Sequence, residues 1–254
     1  MRLPILVYHY FGTTRQVQTG IKAEDTDFIT PIDLFRNHLE YLRETGYEAV
    51  SFQTLLAARR GENSLPEKPV IITIDDGHRS VAELAAPELK KFRWPAELFV
   101  IPTRVTQPGY LQWQELRDLG ICDIMPQSHS LTHRLLNRLS ANEIEQELFE
   151  SKRLIEDKVG VAVTALAVPM GGYPGSTRRI AVGAGYHIVC TSYYGIADPA
   201  GDLFRLPRVM MRAPYDSVKQ LAALLEERLG LAMPLRVRNW GKALKNRLIG
   251  LASG

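Results

Sequence analysis

The sequence predicts an α/β protein whose strands are mostly parallel and covered by helices on both sides. Three observations carry that reading. Short β-rich apolar runs alternate with segments of helical period along the whole chain. Of the 254 residues, 45% are hydrophobic and 23% charged, enough for a large core. No low-complexity stretch or repeat interrupts the alternation, and the length suits one large domain, with or without a tail.

In chain order, strands are expected at Ile5–Tyr8, Glu48–Ser51, Val70–Ile74, Glu97–Ile101, Asp123–Met125, Ala165–Val168 and Ile188–Thr191. Between them the first helix is announced by Thr30 as N-cap and Pro31 at the first helical position. It carries Phe35, Leu39 and Leu42 on one face and stops at Gly46. Further helices are expected near Ser80–Phe92, Trp113–Leu119, Ala141–Val159 and Thr177–Ala184, the third of these opened by a Ser140-x-x-Glu143 capping box. Periodicity alone does not choose between a barrel and an open sheet. The first strand is followed by His9-Tyr10-Phe11-Gly12 rather than a glycine-rich phosphate loop, which removes the main support for a dinucleotide-binding sheet and favours a barrel.

Net charge is +3, but six cations follow Glu227 with no acid among them: Arg228, Arg236, Arg238, Lys242, Lys245 and Arg247. Subtracting these six leaves residues 1–227 at −3, a body with no attraction for nucleic acid. Two cysteines, Cys122 and Cys190, are too few for a disulfide framework, although a bridge between them is open. The apolar run Leu3–Tyr8 is too short for a signal core and no run of 18 apolar residues exists, so a cytoplasmic protein is expected. If helical, residues 233–254 align Val237, Trp240, Leu244, Leu248 and Leu251 on one face, away from the cations. That pattern suits either peripheral contact with an anionic membrane at its inner face or docking on the protein's own body.

Two clusters carry chemistry. Val70-Ile71-Ile72-Thr73-Ile74 ends abruptly in Asp75-Asp76-Gly77, placing two carboxylates at a strand tip, where burial and mutual repulsion demand a cation or donors. Strand alternation aims the two in opposite directions and allows them separate tasks. The second cluster, Ser128-His129-Ser130-Leu131-Thr132-His133, spaces two imidazoles to share one side of a helical turn. With Asp76 they make two imidazoles and one carboxylate with open positions, the donor set of a catalytic rather than a structural metal site.

These two motifs resemble the first two motifs of the polysaccharide deacetylases (NodB homology, carbohydrate esterase family 4), and the order of further segments agrees over residues 3–213. Supporting matches are Leu6-Val7-Tyr8-His9, Trp113-Gln114-Glu115-Leu116, Val168-Pro169-Met170-Gly171 and Arg205-Leu206-Pro207-Arg208. The resemblance implies a distorted seven-stranded (β/α) barrel at residues 1–215, followed by a C-terminal helix and tail at 216–254. It also implies a divalent metal, usually zinc and sometimes cobalt or nickel, and removal of acetyl groups from N-acetylated sugars. By motif position Asp76, His129 and His133 hold the metal, Asp75 is the general base, and the backbone N–H of Met170, after Pro169, meets the oxyanion. The arginine that usually tethers the base is missing from Ala167-Val168-Pro169-Met170, and Arg208 is a candidate to replace it. The C-terminal Leu-x-His motif is absent and the fourth motif is not recognisable. His9 therefore takes the general-acid role, as in circularly permuted members of the family, with His187 the competitor. Tyr173, Tyr193, Tyr194 and Trp113 are candidates to stack on sugar, and Asp25-Thr26-Asp27-Phe28 to reach over the mouth.

The expected activity is metal-dependent N-deacetylation of an amino-sugar glycan, or of its lipid- or nucleotide-linked precursor in polysaccharide biosynthesis. The altered motifs motivate two alternatives: a catalytically weakened barrel that binds glycan or a partner, and a deacylase of another amide or ester.

Overall fold

The computed structural model describes residues 1–226 apart from Gln18 and Tyr215. Seven parallel strands close into a barrel: β1 (Ile5–Tyr8), β2 (Pro69–Ile74), β3 (Ala96–Val100), β4 (Ile124–Ser128), β5 (Ala165–Ala167), β6 (Ile188–Tyr194) and β7 (Leu206–Met210). They pair in that order, and β1 closes the ring by pairing with both β2 and β7. Helices α1 (Ile32–Glu44) and α2 (Phe52–Arg59) lie between β1 and β2, followed in later crossovers by α3 (Ala86–Phe92), α4 (Trp113–Ile121), α5 (Ala141–Val159) and α6 (Thr177–Gly183). The β6–β7 crossover carries only the 3₁₀ turn Leu203–Arg205, and that missing helix is one distortion of the ring. The last helix among the described residues, α7 (Val218–Leu225), follows β7 and buries Leu221 and Leu224 in the shell around the barrel, next to α1. No helix among the described residues is long and apolar enough to cross a membrane. The expected amphipathic segment 233–254 lies outside the described residues.

Strand alternation sorts the core into two layers. Ile5, Ile71, Phe99, Ala165, Ala167, Ile188, Cys190 and Leu206 fill the inside of the ring, with Phe52 of α2 in the same cluster. Leu6, Tyr8, Ile72, Ile74, Leu98, Val100, Leu166, Val189 and Val209 face outward under the helices. Cys190 sits inside the ring and Cys122 on the surface, both as free thiols, so the bridge left open by the sequence is not formed.

One of the seven expected strands is not part of the ring. Glu48–Ala49 pairs only with Pro69 and Val70 at the start of β2, whereas the seventh barrel strand is β7, which the sequence pattern conceals. Pro207 interrupts β7 and cannot donate to a ladder; the pairing with β6 shifts register between Leu206 and Arg208, which accommodates it. The first helix begins at Ile32, with Pro31 rather than Thr30 as its cap residue, because Thr30 is drawn into a short strand with Ile29 against Tyr10–Phe11. The capping box of α5 forms as expected: the Glu143 N–H donates to Ser140 Oγ and the Ser140 N–H donates to Glu143.

Candidate active site

The inward residues of β2 are Ile71 and Thr73, and the next in the series is Asp75, whose side chain enters the C-terminal mouth of the barrel. Asp76 does not point away, as strand alternation alone predicted. Its φ of +74° places it in the left-handed region, and this turn brings its carboxylate back to the mouth. His129 Nε2 lies 3.8 Å from Asp75 Oδ2 and 3.9 Å from Asp76 Oδ1, and His133 Nε2 lies 3.7 Å from that same Oδ1.

The two histidines do not occupy a helical turn. They stand at the ends of an irregular loop after β4, with Ser130 at φ +60° and His133 at φ +62°. Hydroxyl groups between them hold the loop. Ser128 Oγ bonds to Ser151 Oγ of α5 at 2.7 Å and accepts the Ser130 N–H, while Ser130 Oγ accepts the His133 N–H. Glu147 of α5 is buried and accepts from both the backbone N–H and the hydroxyl of Thr132, with Arg134 Nε as a further donor at 3.2 Å. The sequence reading did not single out Glu147, although the alternating Ser-His-Ser-Leu-Thr-His was a visible sign that something must satisfy those hydroxyls.

Asp75 is only 3% exposed and is held by Arg208, itself buried. Arg208 Nη1 and Nη2 donate to Oδ1 and Oδ2 at 2.8 and 2.9 Å, Nε donates to the Thr191 carbonyl, and the guanidinium lies 5.5 Å over the Phe99 ring. Burial pushes the Asp75 carboxyl up, but Arg208 and the nearby imidazoles outweigh it and hold the group below the usual carboxylate range. Asp76 is likewise held low: burial opposes ionisation, and His9, His129, His133 and a hydrogen bond from Tyr10 overcome it.

Asp76, His129 and His133 each offer a ligand atom, all within 4.8 Å of one another. A hydrogen bond of 2.8 Å joins His129 Nδ1 to the Ala167 carbonyl, so Nδ1 is the donor and Nε2 is the ring nitrogen left facing the two aspartates. Burial, then the neighbouring His129, lowers His133 to about 3 and keeps it in the neutral form that ligates. This chemistry fits a divalent cation.

His9 follows β1, and the Tyr8 carbonyl accepts the Asp75 N–H at 2.9 Å, so His9 stands beside the carboxylates. Burial lowers its imidazole against the pull of Asp75 and Asp76. Its Nδ1 is buried without a hydrogen-bond partner. The Ala23–Phe28 turn does reach the mouth: the Phe28 ring packs 4.6 Å from the His9 ring at a tilt of 37°, and Arg212, ion-paired to Asp27, lies 4.5 Å over the Phe28 ring. His187 is exposed ahead of β6, at the opposite end of the barrel from this cluster.

Pro169 is buried and Met170, 51% exposed, adopts φ +53°, a costly conformation for a side chain of its size that recurs at functional sites. The Tyr173 hydroxyl donates to the Phe204 carbonyl at 2.6 Å, and Arg205 lies 5.4 Å from the rings of both Tyr173 and Tyr193. The hydroxyl of Tyr173 is thus engaged by backbone, leaving its ring as the part able to meet a ligand.

A closed seven-stranded parallel barrel with two aspartates and two histidines gathered at its C-terminal mouth defines a class of hydrolase. The polysaccharide deacetylase pattern matches residues 62–189, half of the chain, and the protein belongs to that family. YxkH of Bacillus subtilis (strain 168), a polysaccharide deacetylase by name, is 26% identical over 225 residues, covering 89% of this chain and 76% of that protein. The Streptococcus pyogenes deacetylase PplD, solved in complex with acetate, matches with a TM-score of 0.77 at 25% identity over 89% of this chain and 98% of its own. The poly-beta-1,6-N-acetyl-D-glucosamine N-deacetylase of Escherichia coli (strain K12) is 32% identical over 100 residues, which span 34% of this chain and 15% of that protein.

Proposed function

We propose that this deacetylase is metal-dependent and removes N-acetyl groups from an amino-sugar glycan, or from its lipid- or nucleotide-linked precursor in polysaccharide biosynthesis. The observation that carries the reading is the meeting of Asp76, His129 and His133, with a second, separately held carboxylate, Asp75, 3.8 Å from His129 Nε2. Asp76, His129 and His133 would hold the cation, zinc first and cobalt or nickel as substitutes. When bound, such a cation polarises the acetyl carbonyl and eases deprotonation of water.

The chain's own residues divide the remaining work. Asp75, kept ionised and fixed in orientation by Arg208, accepts the proton that water loses on attack. The Met170 N–H, in its left-handed turn, supplies a donor to the oxyanion. His9, beside Asp75, would give a proton to the departing amine nitrogen, and the tilted Phe28 ring packs against its imidazole. The relatives above carry deacetylase names, one of them a poly-beta-1,6-N-acetyl-D-glucosamine N-deacetylase, and an N-acetylated carbohydrate is the substrate class that this similarity supports for the present chain.

Acetate release from an N-acetylglucosamine oligomer is the direct test. Activity should disappear after dialysis against a chelator and return on addition of zinc. Full activity in metal-free protein would overturn the mechanism.

A further inference from the structure

We propose that Tyr10 is a positioning residue for the metal centre: its phenol ties up one oxygen of Asp76 and leaves the other as the single ligating atom. This rests on the reading of Asp76, His129 and His133 as the metal-binding set. The Tyr10 hydroxyl donates to Asp76 Oδ2 at 2.6 Å, whereas Oδ1 is the oxygen 3.7 Å from His133 Nε2 and 3.9 Å from His129 Nε2. A carboxylate with two free oxygens can bind a cation through one or both. With Oδ2 engaged in a short charge-assisted bond that also fixes the plane of the carboxylate, Oδ1 is the oxygen facing the two imidazoles and available to the site.

The two adjacent aspartates are thereby committed in different ways. Asp75 has both oxygens on a guanidinium, which balances its charge and reserves it for proton transfer. Asp76 has one oxygen on a neutral donor, which orients the carboxylate and leaves its charge for a cation.

Tyr10 is itself held from several sides. It is buried in the short strand Tyr10–Phe11, paired with Ile29–Thr30, and its ring meets the His78 ring edge-on at 5.4 Å. His78 accepts the Ser80 N–H on Nδ1 and uses Nε2 to donate to the Thr19 carbonyl, and Ser80 Oγ accepts the Phe11 N–H. The strand carrying the phenol and the loop carrying the carboxylate are thus tied together on both sides of the Tyr10–Asp76 bond, as precise aim at a metal ligand requires.

The test measures zinc affinity of the full chain by competition with a chromogenic chelator, beside the melting temperature of the metal-free protein. Tyr10→Phe keeps the ring and deletes the donor. It should weaken zinc binding about 10- to 100-fold and shift the visible spectrum of the cobalt-substituted protein. Tyr110→Phe is the control, since it deletes a hydroxyl that donates to the Gly20 carbonyl in the same region without touching Asp76, and it should leave zinc affinity as in wild type. If wild type holds zinc, Asp76→Ala loses it and Tyr10→Phe matches wild type, the assignment of Tyr10 is overturned alone. Equal weakening in Tyr10→Phe and Tyr110→Phe overturns it as well, because the effect would then be structural. A wild-type chain that holds no zinc overturns the metal reading first.

Discussion

His9 and Asp75 stand at neighbouring strand ends yet are supported by opposite means. Asp75 is gripped by a guanidinium through both oxygens, while His9 has a buried Nδ1 with no hydrogen-bond partner and is held by ring contact with Phe28. In the proposed mechanism His9 would turn toward a departing amine and gain from such a loosely specified environment, whereas Asp75, as the proposed base, would have to stay ionised and aimed. His9→Ala should lower the turnover number by about 10²-fold or more, the usual worth of general acid–base catalysis, while zinc content measured by atomic absorption stays at the wild-type level. Unchanged turnover would take His9 out of the role. Breaking the opposite partnership is a different matter, because removing Arg208 leaves a buried carboxylate uncompensated, at a cost of about 3–5 kcal/mol in stability.

At the scale of elements, α5 serves the site as much as the shell. One face buries Ile144, Leu148, Ile155 and Val159, and between them Glu147 and Ser151 reach the loop that carries both histidines. The loop follows β4 without regular structure of its own and contains two non-glycine residues at positive φ, so its shape depends on these ties. Glu147→Ala should cost about 1–3 kcal/mol through the unsatisfied Thr132 donors and weaken zinc binding measured by calorimetry. Zinc affinity equal to wild type in a folded Glu147→Ala protein would show that the loop keeps its shape unaided. Strand β7 gives the complementary lesson: a proline that looks prohibitive in sequence sits at a register shift, and the strand still delivers Arg208 to Asp75.

For the whole molecule, closure couples the first helix to the last described segment. His38 of α1 is fully buried, with Nδ1 3.1 Å from the Tyr8 hydroxyl and Nε2 donating to the Asp216 carbonyl at 2.6 Å, and no carboxylate bonds to the ring to stabilise its charged form. Burial lowers its pKa to about 4 from an ordinary 6.5. The unfolded chain therefore binds the extra proton first, and the contribution of His38 is complete above pH 6.5 and lost as pH falls toward 4. It amounts to about 3 kcal/mol. Glu97, inside the ring, works in the opposite sense: burial pushes it up to about 7, so its contribution is present below pH 4.5 and lost as pH rises toward 7. The two slopes oppose each other in wild type, and a variant comparison separates them. In urea unfolding, the destabilisation caused by His38→Gln should be about 3 kcal/mol smaller at pH 4 than at pH 6.5. A difference that does not change with pH would mean that His38 is not held neutral.

Much of this arrangement was legible in the residues. Six of the seven barrel strands, the capping box at Ser140 and Glu143, and the four residues of the aspartate and histidine motifs follow from local patterns: period two in strands, side-chain caps, and abrupt polar ends to apolar runs. Such signals are short-range, and a single chain displays them directly. Strand β7 was hidden because Pro207 breaks the pattern by which strands are recognised, and Glu48–Ala49 imitated a barrel strand because a two-residue pairing looks the same in sequence as the start of a longer one. The helical turn expected for His129 and His133 failed because spacing does not reveal backbone conformation at Ser130 and His133. The partners that give each site residue its character were beyond local reach. Arg208 lies 133 residues from Asp75 and Tyr10 lies 66 from Asp76. By itself, then, the sequence determined the family, the barrel class and the chemical types at the mouth. The resemblance also pointed to His9 beside the aspartates and to Arg208 as the tether of Asp75, and the barrel brings both there. Only the tertiary structure decided which oxygen of which aspartate is engaged and by what donor, because those depend on ring closure, which brings strands distant in the chain into one register.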